Sequence, residues 1–303
     1  MEQFLIFTGR NLKLYFRDRG AIFFSLLTMI IVIMLMVFFL GDMNVEAITK
    51  LLSVFPGRDP VVDEENAKHL VYIWTCAGVL AINALTVTVS VYSKMIRDRE
   101  NGILNSFYTA PVSRVIITMS YVVAAWIAAI MVCVITLFVT ELYGLTQGVP
   151  MYSLTQHLAI LGSIVLNSFL YAAFMYCVAL LVKSEGAWSG IGTVIGTLVG
   201  FLGAIYIPIG SLADSVQNIL KCTPVIYSAA LFRKVMTEQM IADTFTDVPE
   251  EMITGYSDAM GIDLSISEHL VSNMEICGLL LILGIIFVGI AVCILTHSKK
   301  SDR

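Results

Sequence analysis

Side chains able to do chemistry are sparse and scattered along this chain. His69, His157, His269 and His297 stand far apart, each near the end of an apolar run. The metal spacings His-Glu-x-x-His and Cys-x-x-Cys do not occur, nor does the nucleophile pattern Gly-x-Ser-x-Gly. There is no Gly-Lys dipeptide, hence no Walker A loop to cradle nucleotide phosphates. Of six cysteines only Cys222 falls clearly in a long hydrophilic segment, where it reads as a free thiol. The others read as small apolar packing residues. The concentrated signal is elsewhere, in the charged stretch Lys94–Arg114.

That stretch begins with Lys94, Arg97, Asp98, Arg99 and Glu100, each costly at a membrane centre, so this half stays in water. Ile103, Leu104 and Phe107 follow at helical spacing and give a short helix one apolar face. Gly102 breaks the first helix, and Pro111 ends or redirects the second. Such a short amphipathic helix either lies on a lipid surface or enters a groove on a partner protein.

The elements around it are set by composition. Apolar types make up 58% of the 303 residues and charged types 14%. The mean hydropathy is +0.86. A soluble domain carries about 25% charged residues, so these values argue against a soluble enzyme, and they argue against disorder as well. The net charge of −5 offers no basic surface for nucleic acid. Six apolar runs are free of Lys, Arg, Asp and Glu: 21–40, 70–92, 115–139, 158–182, 191–209 and 276–295. Each approaches the roughly 20 residues a spanning helix needs, and lone strands would leave backbone groups unpaired in lipid. The expectation is an all-α membrane protein of six transmembrane helices, forming one domain over 1–303. The first run is read as retained, because Gly41-Asp42-Met43 does not make a signal cleavage site.

Orientation follows from the bases. Twelve of the 18 Lys and Arg lie before the first run, between the second and third, after the fourth, and after the sixth. The positive-inside rule then puts both termini in the cytoplasm of a cell-membrane protein. Residues 2–19, with Phe4, Leu5, Leu12, Tyr15 and Phe16 beside Arg10, Lys13, Arg17 and Arg19, fit an interfacial helix on the inner leaflet. The outer segments are 41–69 and 210–275. The second carries ten acids and reads as a solvated surface, or alternatively as a funnel for cations.

Three motifs in order resemble one family. Arg99-Glu100-x-Gly102-x-Leu104 with Thr109-Ala-Pro-Val-Ser-Arg114 is similar to the cytoplasmic loop of type 2 ABC exporter permeases. Lys183-Ser-Glu-Gly-Ala is similar to that family's charged turn between spans 4 and 5, and Pro208–Tyr227 to its re-entrant hairpin. The resemblance implies a coupling helix seated on a separate ATPase, with Arg97, Arg99 and Glu100 facing it and Ile103, Leu104 and Phe107 filling the groove. It also implies two ATPase copies holding ATP and Mg, a second permease chain, and an outer gate near Pro208 and Leu212. No cofactor or catalysis is then expected of this chain itself.

Within the runs, Asn83 and Asn167 need polar partners, either on neighbouring helices or along a translocation path. Gly192, Gly196 and Gly200 share one helix face, which favours close packing within the subunit or across a dimer. No run contains an ionisable residue, which speaks against an ion-coupled carrier. A membrane sensor or immunity protein binding a peptide with its outer loops is the other alternative. The expected cargo is hydrophobic or amphipathic: a drug, an antimicrobial peptide or a lipid-linked molecule.

Overall fold

The structure, a computed structural model, describes residues 2–20, 22–23, 27, 30–31, 34, 41–103, 112–266 and 269–301. The expected first span, 21–40, lies mostly outside the described residues. Capping residues punctuate the chain where the sequence turns helical. Helix α1 (Glu2–Arg17) is followed by α2 (Gly41–Leu52) and the long α3 (Pro60–Glu100). Asp59 starts α3 by accepting the Val61 N–H at 2.9 Å, with Pro60 at the first position, where no donor is needed. Ser113 caps α4 (Arg114–Thr146). Ser153 and Gln156 form a reciprocal capping box on α5 (Leu154–Leu181). Ser184 caps α6 (Glu185–Leu202).

Four helices among the described residues are long and apolar enough to cross a membrane: α3, α4, α5 and the last, α10 (Asn273–Ser301). Helix α3 has 41 residues, far more than the run 70–92 suggested. At 1.5 Å per residue it is about 60 Å long, roughly twice the hydrocarbon thickness. It is also the hub. Helices α1, α2, α4, α5 and α6 all pack on it, and between Leu70 and Leu85 nothing on it is exposed. By contrast α10 rests mainly on α5 and leaves Ile282, Ile285 and Ile286 exposed.

The apolar run 191–209 is only partly helical. Helix α6 stops at Leu202; Ala204 turns left-handed (φ 49°), and the Ile205 N–H returns to the Gly200 carbonyl at 2.8 Å. Two glycines permit the reversal. A Cβ on Gly200 would fall 2.2 Å from the Tyr206 ring, and one on Gly78 would fall 3.0 Å from Ile205. The chain then continues through a 3-10 turn at Ile209–Ser211 into α7 (Asp214–Lys221), α8 (Pro224–Thr244) and α9 (Glu250–Ala259). A short hairpin pairs β1 (Ser265–Ile266) with β2 (His269–Leu270) before α10.

The acidic segment is therefore a folded cap rather than a loose loop. Acids such as Asp243, Asp247, Glu250 and Glu251 do face solvent, but α8 packs more extensively on α3 than any other helix does. Val225 through Arg233 are all buried. The first turn of α8 reaches well into the bundle, where Tyr171 of α5 donates to Ser228 Oγ at 3.3 Å.

Candidate functional site

The charged residues singled out in the sequence gather at the end of α3. Arg99 and Glu100 are neighbours in sequence and act on opposite helix ends. Arg99 Nη1 donates to the carbonyls of Ala179 (2.8 Å) and Val182 (2.5 Å), where α5 finishes. Glu100 Oε2 accepts the Glu185 N–H at 2.7 Å, where α6 begins. A base on carbonyl-rich C-terminal turns and an acid on amide-rich N-terminal turns both complement the helix dipoles. One dipeptide thus grips both sides of the α5–α6 turn. Arg97 adds an exposed ion pair to Glu185, its Nε lying 3.1 Å from both carboxylate oxygens. That pairing holds the Glu185 carboxyl below its usual range.

On the other side of α3 the same end holds α1. Asp98 is buried and takes Arg10 Nη2 at 2.8 Å and the Tyr121 hydroxyl at 3.3 Å. Lys94 pairs with Asp18 just beyond α1. Helix α1 itself packs along α4, burying Thr8, Asn11 and Tyr15. The segment expected as an interfacial helix is thus bolted to the loop-proximal end of α3.

After Glu100 the chain leaves the helix. Gly102 is left-handed (φ 73°), and its N–H bonds the Arg99 carbonyl at 3.1 Å. This is the conformation glycine adopts without penalty just past a helix end. Ile103 then projects with 40% of its surface exposed. Leu104, Phe107 and Pro111 lie outside the described residues.

Other expected positions separate. Asn83 Nδ2 donates to Thr136 Oγ1 at 2.7 Å, joining α3 to α4. Asn167 Nδ2 donates to the Ala81 carbonyl at 2.9 Å, joining α5 to α3. Both amides are buried and bond between helices, as polar groups in lipid must. The glycine face does not act as one surface: Gly192 rests on Val89, Gly196 faces open space and Gly200 lies under Tyr206. Pro208 leads the 3-10 turn, whose Gly210 sits against Ala259 of α9; Leu212 is half-buried, and its carbonyl takes Gln217 Nε2 at 2.9 Å.

Sequence reasoning missed the cap's anchor, Arg233. It is fully buried, with its guanidinium 4.3 Å over the Trp74 ring. It donates to the carbonyls of Gly203 (3.1 Å), Ala204 (2.9 Å) and Gly261 (3.3 Å). Burial pushes it down to about 9, still protonated at neutral pH. Arg58 forks onto Asp63 and reaches the Thr244 and Thr246 carbonyls, while Lys234 takes Asp263 and the Val271 carbonyl, both at 2.8 Å. The available signal was Arg233 closing the apolar run that starts at Pro224.

These features define a helical membrane protein whose charged loop and α5–α6 turn form one assembly. The model of the ABC-2 family transporter proteins matches residues 59–293, and the chain belongs to that family. It is thus of the transporter permease class, which implies association with an ABC ATPase. No curated protein matches it.

Proposed function

We propose that this chain is the membrane subunit of an ATP-driven exporter that moves a hydrophobic or amphipathic substrate out of the cell. A separate ATPase, in two copies, holds the ATP and Mg and supplies the energy; this chain contributes no catalytic group. It spans the cell membrane six times, with 21–40 and α6 completing the set and both termini cytoplasmic. It works beside a second permease chain.

The observation that carries this reading is the grip of Arg99 and Glu100 on the α5–α6 turn, next to an exposed Ile103. A force applied to the loop by a docked partner reaches four elements at once: α3 through the helix itself, α5 through Arg99, α6 through Arg97 and Glu100, and α1 through Asp98. Helix α3 is continuous from this end to the cap, so a tilt at the loop moves Trp74 and Arg233 at the far end. Pro208–Leu220, lying between α6 and α8, is the segment that such a tilt displaces, and serves as the outer gate.

The test is a mild-detergent pull-down from native membranes, followed by transport in vesicles. A partner bearing a Walker A loop should co-purify. Replacing Glu100 and Phe107 with Ala should separate ATP hydrolysis from export. A chain that emerges alone and still drives flux would overturn the reading in favour of an ion-coupled carrier.

A further inference from the structure

Between the first turns of α5 and α10 and the inner sides of α8 and α9 lies a recess of about 660 Å³. Its size falls in the range of small-molecule sites, about 300–1,000 Å³. The wall is mixed: Val235, Ile241 and Ile253 supply apolar surface, while Gln156, Asn273 and Glu238 supply polar atoms. Two further charges line it, and they cancel. Lys234 Nζ is held by Asp263 and by the Val271 carbonyl. Glu238 is left with no ionic or hydrogen-bonding partner among the described residues. The net free charge of the lining is therefore that of one carboxylate.

The location narrows the ligand class. Thr155 and Asn273 stand where two membrane-crossing candidates begin. Met274 of the lining is 85% exposed, and Leu154 and Leu158, next in sequence to the lining residues Thr155 and Ala159, are 77% and 62% exposed. The recess thus opens at the border between an apolar belt and a polar cap. A molecule filling it meets hydrocarbon on one side and an unpaired carboxylate on the other. We infer that this recess is a binding site for an amphipathic cation, whose amine or delocalised positive charge pairs with Glu238 while its apolar body lies on Val235, Ile241 and Ile253. The inference needs no ATPase, and its test contains no ATP, so it stands or falls apart from the transport reading.

The experiment is fluorescence-polarisation titration of rhodamine 6G, a lipophilic cation, onto the full chain in phosphatidylglycerol nanodiscs, with empty discs subtracted. Glu238→Gln should weaken binding about three- to fivefold, the loss of one exposed ion pair. Glu238→Asp should retain most of it, and Ala159→Trp, which fills the recess from α5, should abolish it. Glu238 is exposed on the wall, so its substitution should leave the melting temperature unchanged, which separates lost binding from lost folding. A second arm adds phosphatidylethanolamine. If a lipid amine is the resident ligand, it should compete with rhodamine 6G on the unaltered chain and not on Glu238→Gln. If the ligand is a free amphiphile, the lipid should make no difference to either. Equal affinity of the unaltered chain and Glu238→Gln, or full binding by Ala159→Trp, would overturn the proposal.

Discussion

The two ends of α3 handle charge in different ways. At the Arg97 end, most bases meet acids across elements: Arg10 with Asp98, Lys94 with Asp18, Arg97 with Glu185, and Arg99 is the exception in turning to carbonyls. Of these pairs Arg97–Glu185 is the most open to solvent, with 52% of the Arg97 side chain exposed. At the cap end, bases turn chiefly to main-chain carbonyls. Arg233 takes three, Arg58 two, Lys234 and Lys221 one each. Carbonyl dipoles in turns have few substitutes once buried, and leaving them unpaired is costly. Exposed ion pairs are worth little and can be exchanged for another chain's charges at small cost. The contrast describes a fixed cap and a remakeable edge, and the proposed docking is to the second.

The largest effect that could break this contrast is at Arg233. Arg233→Met keeps most of the apolar volume but leaves the Gly203, Ala204 and Gly261 carbonyls without their donor. We expect a loss of roughly 3 kcal/mol from those unpaired groups, read as a lower aggregation temperature in detergent. Arg233→Lys should rescue little, because the guanidinium reaches the two segments from separate nitrogens, Nη1 to Gly261 and Nη2 to Gly203 and Ala204, whereas an ammonium's three donors share one shorter-reaching nitrogen. A near-normal melting temperature for the Met variant would mean the cap is held by α8 packing alone.

Next in size is Gly210→Ala. Its Cβ would lie 2.7 Å from the Ala259 Cα, a main-chain neighbour that cannot swing aside. A cost of about 1–3 kcal/mol is expected from overpacking, together with faster proteolysis within 245–266. Asp98→Asn comes third. It removes the buried charge facing Arg10 and should free α1, seen as greater mobility of a spin label at the exposed Leu5. Since α1 also packs on α4, the fold itself should survive.

The smallest effect sharpens the contrast most. Arg97→Ala should leave the melting temperature within error, because the Arg97–Glu185 pair is exposed, while lowering export driven by ATP. Raising salt from low to about 1 M, where the screening length falls to about 3 Å, should weaken the α1 attachment and leave the cap unaffected. A salt-sensitive cap would show that its bases act through long-range charge rather than through buried carbonyls.

Several of these features were legible beforehand. The apolar cores of α3, α4, α5 and α10 follow from hydropathy. The Gly102 break was legible because only glycine adopts that backbone freely. The full reach of α3 was not, because residues 60–69 and 93–100 are polar helix formers that an apolar window excludes. Nor was the end of α6 at Leu202. The run to Ile209 is uniformly apolar, and what stops the helix is Tyr206 folding onto Gly200 and Ile205 onto Gly78.

The sequence by itself determined that this chain lives in a membrane and which family it resembles. Those properties are local: hydropathy and short motifs act within a turn or two. Only the tertiary structure decided what each charge is for. Arg99 and Glu100 sit about 80 residues from the turn they grip, and Arg233 about 30 from the carbonyls it holds. A side chain's partner depends on which distant backbone is brought within 3 Å of it, and residue type alone fixes only that some partner must be found.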